Sequence, residues 1–240
     1  GADALAAVGS TGTIMFLVVG FAQGITAGFS VLTAQRFGAK DKEGVKVSVA
    51  NGILLSLIFT VAISALSMIS MHGLLKLMNT PDNIFQDAYT YIMIISAGII
   101  ATIFYNLFSS YLRAVGNSKI PLVFLVFSAA LNVILDLVLI INFKMGVAGA
   151  AWATIISQGV SAILCLVYIY IRMPSLAPNR RHWRLHGQES RNQLAMGIPM
   201  ALQFAITASG TMVMQSAINL FGSDAVASFT AASKVQNLVT

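Results

Sequence analysis

The sequence predicts an all-α integral membrane protein, a polytopic bundle of helices. Three observations carry that prediction. Of 240 residues, 57% are hydrophobic and only 9% are charged, with a mean hydropathy of +0.82. Soluble domains carry about 25% charged residues, so this chain has too little polar surface to cover a water-soluble globule. Next, long stretches carry no charge: Asp3 to Arg36, Lys46 to Lys76, Asp87 to Arg113, Lys144 to Arg172 and Arg191 to Asp224. Between Lys119 and Lys144 the single charge is Asp136. Each interval exceeds the roughly 20 residues that a helix needs to cross a bilayer, which predicts six spans. Membrane strands would instead show segments of about 10 residues with alternating polarity, and none is visible. Finally, eleven of the fourteen basic residues fall on alternate loops, and Lys76 and Lys144 are the two on the opposite set. By the positive-inside rule the basic loops face the cytoplasm.

The elements follow in order. The first span contains Gly20, Gly24 and Gly28, four residues apart, a smooth face suited to close helix packing. A basic loop with Arg36, Lys40, Lys42 and Lys46 precedes the second span, and "NTPDN" (79–83) is a turn ahead of the third. Arg113 and Lys119 bracket the next basic loop, and Pro121 suits the first turn of the fourth span. A short turn around Met145 leads to the fifth. The stretch "RMPSLAPNRRHWRLHGQESR" (172–191) reads as a cytoplasmic tether. Pro199 lies inside the sixth span and predicts a kink. A seventh span begins near Ala225.

Several function classes are excluded early. One cysteine, Cys165, rules out an internal disulfide, and its apolar setting predicts inert packing. His72, His182 and His186 lie near charged or loop residues, so no histidine cluster forms within a span. Basic residues are divided among short loops rather than gathered on one face, which argues against nucleic acid. An intramembrane enzyme needs a nucleophile, a base and an oxyanion donor within reach, whereas Asp136 is the one charged residue well inside a span.

Two stretches resemble each other. "GADALAAVG" (1–9) and "GSDAVASFT" (222–230) align Gly1 with Gly222, Asp3 with Asp224, Ala4 with Ala225 and Ala6 with Ala227. Both precede a span on the outer side with six spans between them, as in parallel repeats. The second copy is preceded by a span and the first is not. This predicts an internal piece of a transporter of about twelve helices, in two parallel-related lobes of six. The expected divisions are 1–171 for the first lobe without its first helix, 172–191 for the linker, and 192–240 for the start of the second lobe.

Polar residues within the membrane point to chemistry. "LNVILDLVLI" (131–140) places Asn132 and Asp136 at i and i+4, on one helix face. An Asp near a helix centre costs about 2.5–3.5 kcal/mol on insertion scales, and such residues usually face protein or a water-filled cavity. Asp136 and Thr154 are equally distant from Met145 in the outer turn, roughly 12–14 Å deep at the helical rise. A carboxylate, an amide oxygen and a hydroxyl could therefore converge. Such oxygens suit Na⁺, or a carboxylate that takes up a proton. A packing role, with Asn132 bonding across helices and Asp136 reaching toward the interface, is equally compatible with the spacing.

The chain resembles the multidrug and toxic compound extrusion (MATE) family throughout its length. "GADALAAVG", "AQRFGAKD", "YLRAVGNSKIPL", "LNVILD", "GVAGAAWAT" and "GIPMALQ" carry the resemblance. It implies two six-helix lobes and export of organic cations and drugs in exchange for Na⁺ or H⁺, by a monomer in the plasma membrane with no other cofactor. It also implies a first-lobe cation or proton site comprising Asn132, Asp136, Thr154 and the carbonyl of Ala150. The family's first-helix Asp has no counterpart here, and 192–223 contains no acidic residue, unlike the branch with a Glu on its seventh helix. Leu137 stands where proline often follows the Asp. A lipid-linked oligosaccharide flippase of the same superfamily is the alternative, favoured by basic cavity walls that these spans lack.

Overall fold

The computed structural model describes residues 2–77 and 82–219 of the chain, and within them the structure is helical without strands. Helix α1 is Ala2–Gly38, α2 Lys42–Leu77, α3 Asp82–Ala97, α4 Ile99–Ala114, α5 Lys119–Asp136, α6 Gly146–Arg172 and α7 Gly187–Asn219. A π-helical segment, Leu137–Asn142, extends α5, and a 3₁₀ turn, Arg180–His182, lies between α6 and α7. Among the described residues, α1, α2, α5 with its extension, and α6 are each long and apolar enough to cross a membrane; α3 and α4 together form a fifth, broken span. Helix α7 is long but less apolar, because its first turns carry Gln188, Glu189, Arg191, Asn192 and Gln193. The anticipated seventh span, the second repeat copy and most of "NTPDN" lie outside the described residues.

Local sequence explains the helix ends. Lys40 adopts φ 59°, turning the chain after α1, and the Asp41 carboxylate accepts a hydrogen bond from the Gly44 amide at 2.9 Å, capping α2. At the end of α4, Gly116 has φ +84°. The Asn117 amide donates to the Leu112 carbonyl and the Gly116 amide to that of Arg113, each at 2.9 Å, which is a Schellman ending. Lys144 and Gly146 take positive φ in the turn before α6. Helix α7 begins at Gly187, inside the stretch expected to be tether, and therefore contains Glu189 in its first turn. The connection before it is docked rather than loose: Leu176 and His182 are buried.

Two features were not anticipated. The third span bends by 48° at Gly98, between α3 and α4. The Ile155 side chain of α6 occupies the space beside that glycine, with Cγ2 only 2.8 Å from where a Cβ would stand. The second feature is the π-helical stretch after Asp136. Helix α7, for its part, continues through Pro199 without interruption.

The main core joins α1, α2, α4, α6 and α7 through Ile25, Phe29, Val49, Leu107, Tyr111, Ile169 and Ala201. Cys165 is fully buried within it. The glycine face of α1 meets α7 backbone to backbone. A Cβ on Gly24 would lie 2.7 Å from the Ala201 nitrogen, and one on Gly28 the same distance from the Gly197 nitrogen. Close packing was the expected use of that face, and its partner is α7. Helix α5, by contrast, is almost bare, with 6% of its apolar window buried, and it packs chiefly along α6.

Candidate functional site in the α5–α6 hairpin

Helices α5 and α6 form a hairpin whose register is fixed where Leu139 and Ile140 press on Gly149. A Cβ there would meet the Ile140 Cγ1 and the Leu139 carbonyl carbon at 3.3 Å. Counting inward from that contact along both helices places Thr154 at a level between Asn132 and Asp136. All three side chains are partly buried. Thr154 Oγ1 donates to the Ala150 carbonyl oxygen at 3.0 Å, so these two share one turn of α6. No hydrogen bond joins Asp136 to Asn132 or Thr154. Among the described residues, Asp136 Oδ1 is buried and has no hydrogen-bond partner.

The backbone changes character at this carboxylate. Asp136 is the last residue of α5, and the π segment starts with Leu137. The Phe143 amide donates to the Val138 carbonyl at 3.2 Å, five residues back, and the Met145 amide reaches Leu139 at 3.0 Å. Short π segments inside α-helices occur frequently at functional sites. Leu137, where the resemblance implies a proline, begins this π turn. Tyr91 of α3 lies within electrostatic reach of Asp136. Sequence reasoning missed this tyrosine; the one available signal was a phenol in the otherwise apolar run "YIMIIS" (91–96).

Chemically, an unpartnered carboxylate oxygen shares the hairpin with three neutral oxygen groups at a similar level, those of Asn132, Ala150 and Thr154. Oxygen donors of this kind suit a hard monovalent cation or a proton. A separate cleft of about 440 Å³ opens between α1 and α7, lined by Met15, Phe16, Val19, Gln23, Phe204 and Thr207. Its walls are apolar and aromatic, with no basic side chain among those lining it.

The MatE family profile matches residues 1–138, more than half of the chain. The chain belongs to the MATE family. A probable multidrug resistance protein, YpnP of Bacillus subtilis, is 32% identical over 242 residues, covering 100% of this chain and 54% of that protein. Two solved MATE-family structures are similar in fold and 27% identical. One, described as the inward-facing conformation of a multidrug resistance transporter of the MOP superfamily, has a TM-score of 0.84 and matches 99% of this chain and 55% of that one. The other, described as outward-facing, has a TM-score of 0.86 and matches 99% and 53%. The chain thus spans about half the length of the MATE relatives it matches. The expected fold class, an all-α membrane bundle of this family, stands on these similarities together with the helices themselves.

Proposed function

We propose that the full-length protein is a secondary multidrug antiporter that exports organic cations or drugs in exchange for Na⁺ or H⁺, and that Asp136 is its coupling carboxylate. The observation that carries this reading is the buried, unpartnered Oδ1 of Asp136 at the junction of α5 with its π segment. Among the described residues no donor reaches this oxygen, which leaves it open to a proton or a cation. Asn132, Thr154 and the Ala150 carbonyl are its neutral oxygen partners. Binding of Na⁺ or a proton removes the net charge of Asp136 and biases one helix arrangement over another. The ion shifts that equilibrium only by its differential affinity for the two states.

The apolar, aromatic cleft between α1 and α7 supports lipophilic small molecules as cargo. Its lack of basic walls weighs against an anionic lipid-linked substrate. The basic loops face the cytoplasm, the connection before α7 links two lobes, and the protein works as a monomer in the plasma membrane. Drug transport by the full-length protein in proteoliposomes, under imposed Na⁺ or H⁺ gradients, tests the reading. Asp136→Asn keeps size and polarity but cannot change charge. It is expected to fold normally, retain drug binding and lose gradient-driven transport, while Thr154→Val weakens coupling less. Wild-type rates for Asp136→Asn under both gradients would make the carboxylate structural.

A further inference from the structure

The contact of α7 with α1 and α2 has two chemically different ends. Toward Gly24 and Gly28 it is a dry seam of backbone against backbone. Toward Arg36 it is polar and almost fully buried. There the Gln193 amide nitrogen donates to the Ser48 carbonyl at 2.8 Å and to its hydroxyl at 3.1 Å, and that hydroxyl lies 2.9 Å from Thr33 Oγ1. Asn51 Nδ2 donates to Gln193 Oε1 at 2.9 Å and contacts Ser190 Oγ at 3.1 Å. Asn51 Oδ1 accepts from the His186 amide at 2.9 Å. Arg36 pairs with Glu189, which is 4% exposed. Thr33, Ser48, Asn51 and Gln193 are all fully buried.

The partners are divided by element. Every hydrogen bond made by the Asn51 side chain goes to residues 186–193. The Gln193 amide bonds only to α2, and Glu189 pairs with α1. An interface that never opens gains little from this composition, because apolar side chains of the same volume would do as well or better. An interface that opens needs it, because each face must be acceptable to water when the two separate. The network is also incompletely satisfied when closed: Arg36 Nε, Glu189 Oε1 and His186 Nδ1 are buried without a hydrogen-bond partner among the described residues. Water can reach these atoms once the helices part, which narrows the gap between closed and open states.

We infer that the first two turns of α7 and the Arg36 ends of α1 and α2 form a reversible polar latch, with Gln193 and Asn51 at its centre and the Arg36–Glu189 pair at its rim. The latch holds this end of the seam shut in the structure described and releases when the other arrangement is adopted. It rests on the transporter reading above, in that α7 opens the second lobe.

The test is a spin-label distance measurement on the full-length protein in lipid nanodiscs, without drug or ion gradient. Lys42→Cys and Arg191→Cys, both exposed, report across the latch in a Cys165→Ala background. The unmodified latch is expected to give a predominant short-distance population. Gln193→Leu and Glu189→Gln are each expected to raise a second, discrete longer population by about tenfold relative to the short one, a shift of about 1.4 kcal/mol, because each leaves a buried partner unsatisfied in the closed state. Should Gln193→Leu fail to fold, Glu189→Gln is read by the same criterion. Variants that lose thermal stability while the folded protein keeps the original distance distribution would show a permanent structural network and overturn the latch. Because the readout needs no transport, loss of the antiporter reading through Asp136→Asn and loss of the latch are separate results.

Discussion

Replacing Gly28 by alanine tests how tightly α1 and α7 meet. The new Cβ would stand 2.7 Å from the Gly197 nitrogen and 2.8 Å from the Met196 carbonyl oxygen. Both are backbone atoms, so no rotamer change can clear them. The Gly197 Cα lies closer still, so restoring ordinary contact at 3.4 Å requires the helices to part by about 1 Å, a gap of the size that forfeits about half of each dispersion contact along the seam. Overpacking of this kind costs about 1–3 kcal/mol. Gly73 of α2 is the matched control, because a Cβ there meets nothing within 4 Å. A helix-interior Gly→Ala without a clash stabilises by about 0.5–1 kcal/mol. The same chemical change should therefore have opposite signs at the two positions. Thermal unfolding of the full-length protein in detergent, followed by circular dichroism, should show a lower midpoint for Gly28→Ala and a slightly higher one for Gly73→Ala. A rise at both positions would refute backbone-to-backbone packing of α1 on α7.

Three further outcomes follow from the same coordinates. Gly98→Val should lower the unfolding midpoint, because Ile155 already fills the space beside this residue; an unchanged midpoint would mean that the α3–α4 bend has room to spare. Cys165 is fully buried and should resist maleimide labelling in the folded protein, becoming reactive only with denaturant. Single cysteines near Lys42 should label from the cytoplasm and those at Lys144 only from outside in intact cells, and reversed labelling would invert the proposed orientation.

Charge spacing located five of the six expected crossings, counting the bent α3–α4 pair as one, and the helix ends poorly, for a physical reason. A gap between charges marks the stretch that can lie in hydrocarbon, whereas a helix continues into water as long as its backbone bonds are made. Helix α2 has 36 residues, about 54 Å at the helical rise, and so overruns a bilayer core of about 30 Å. In the same way α7 starts at Gly187 and takes in Glu189, which the charge pattern had assigned to a tether. The glycine spacing of α1 was legible as a packing face, but its partner was not, since nothing local in "GIPMALQ" (197–203) names α1. Gly98 lies in a continuous apolar run, and the side chain that fills the space beside it, Ile155, is 57 positions away. The π segment likewise packs on Gly149 across the hairpin. Asn132, Asp136 and Thr154 stood out because polar side chains in an apolar run are conspicuous. Tyr91 did not, because a phenol is half apolar.

The bareness of α5 bears on how the chain enters the membrane during synthesis. Among the described residues α5 packs chiefly along α6, and the two are suited to leave the translocation channel together, as one hairpin. Asp136 must then be accepted by the lipid phase before most of the bundle exists to shelter it. Between Lys119 and Asn142 there are sixteen leucine, isoleucine, valine and phenylalanine residues. Each favours insertion by about 0.3–0.6 kcal/mol, against a cost of about 2.5–3.5 kcal/mol for one central Asp. This is the most apolar of the described spans, and its apolar side chains outweigh the carboxylate. An extra charge on its lipid face would draw on the same margin, so this helix should tolerate fewer polar substitutions during biogenesis than its exposure among the described helices suggests.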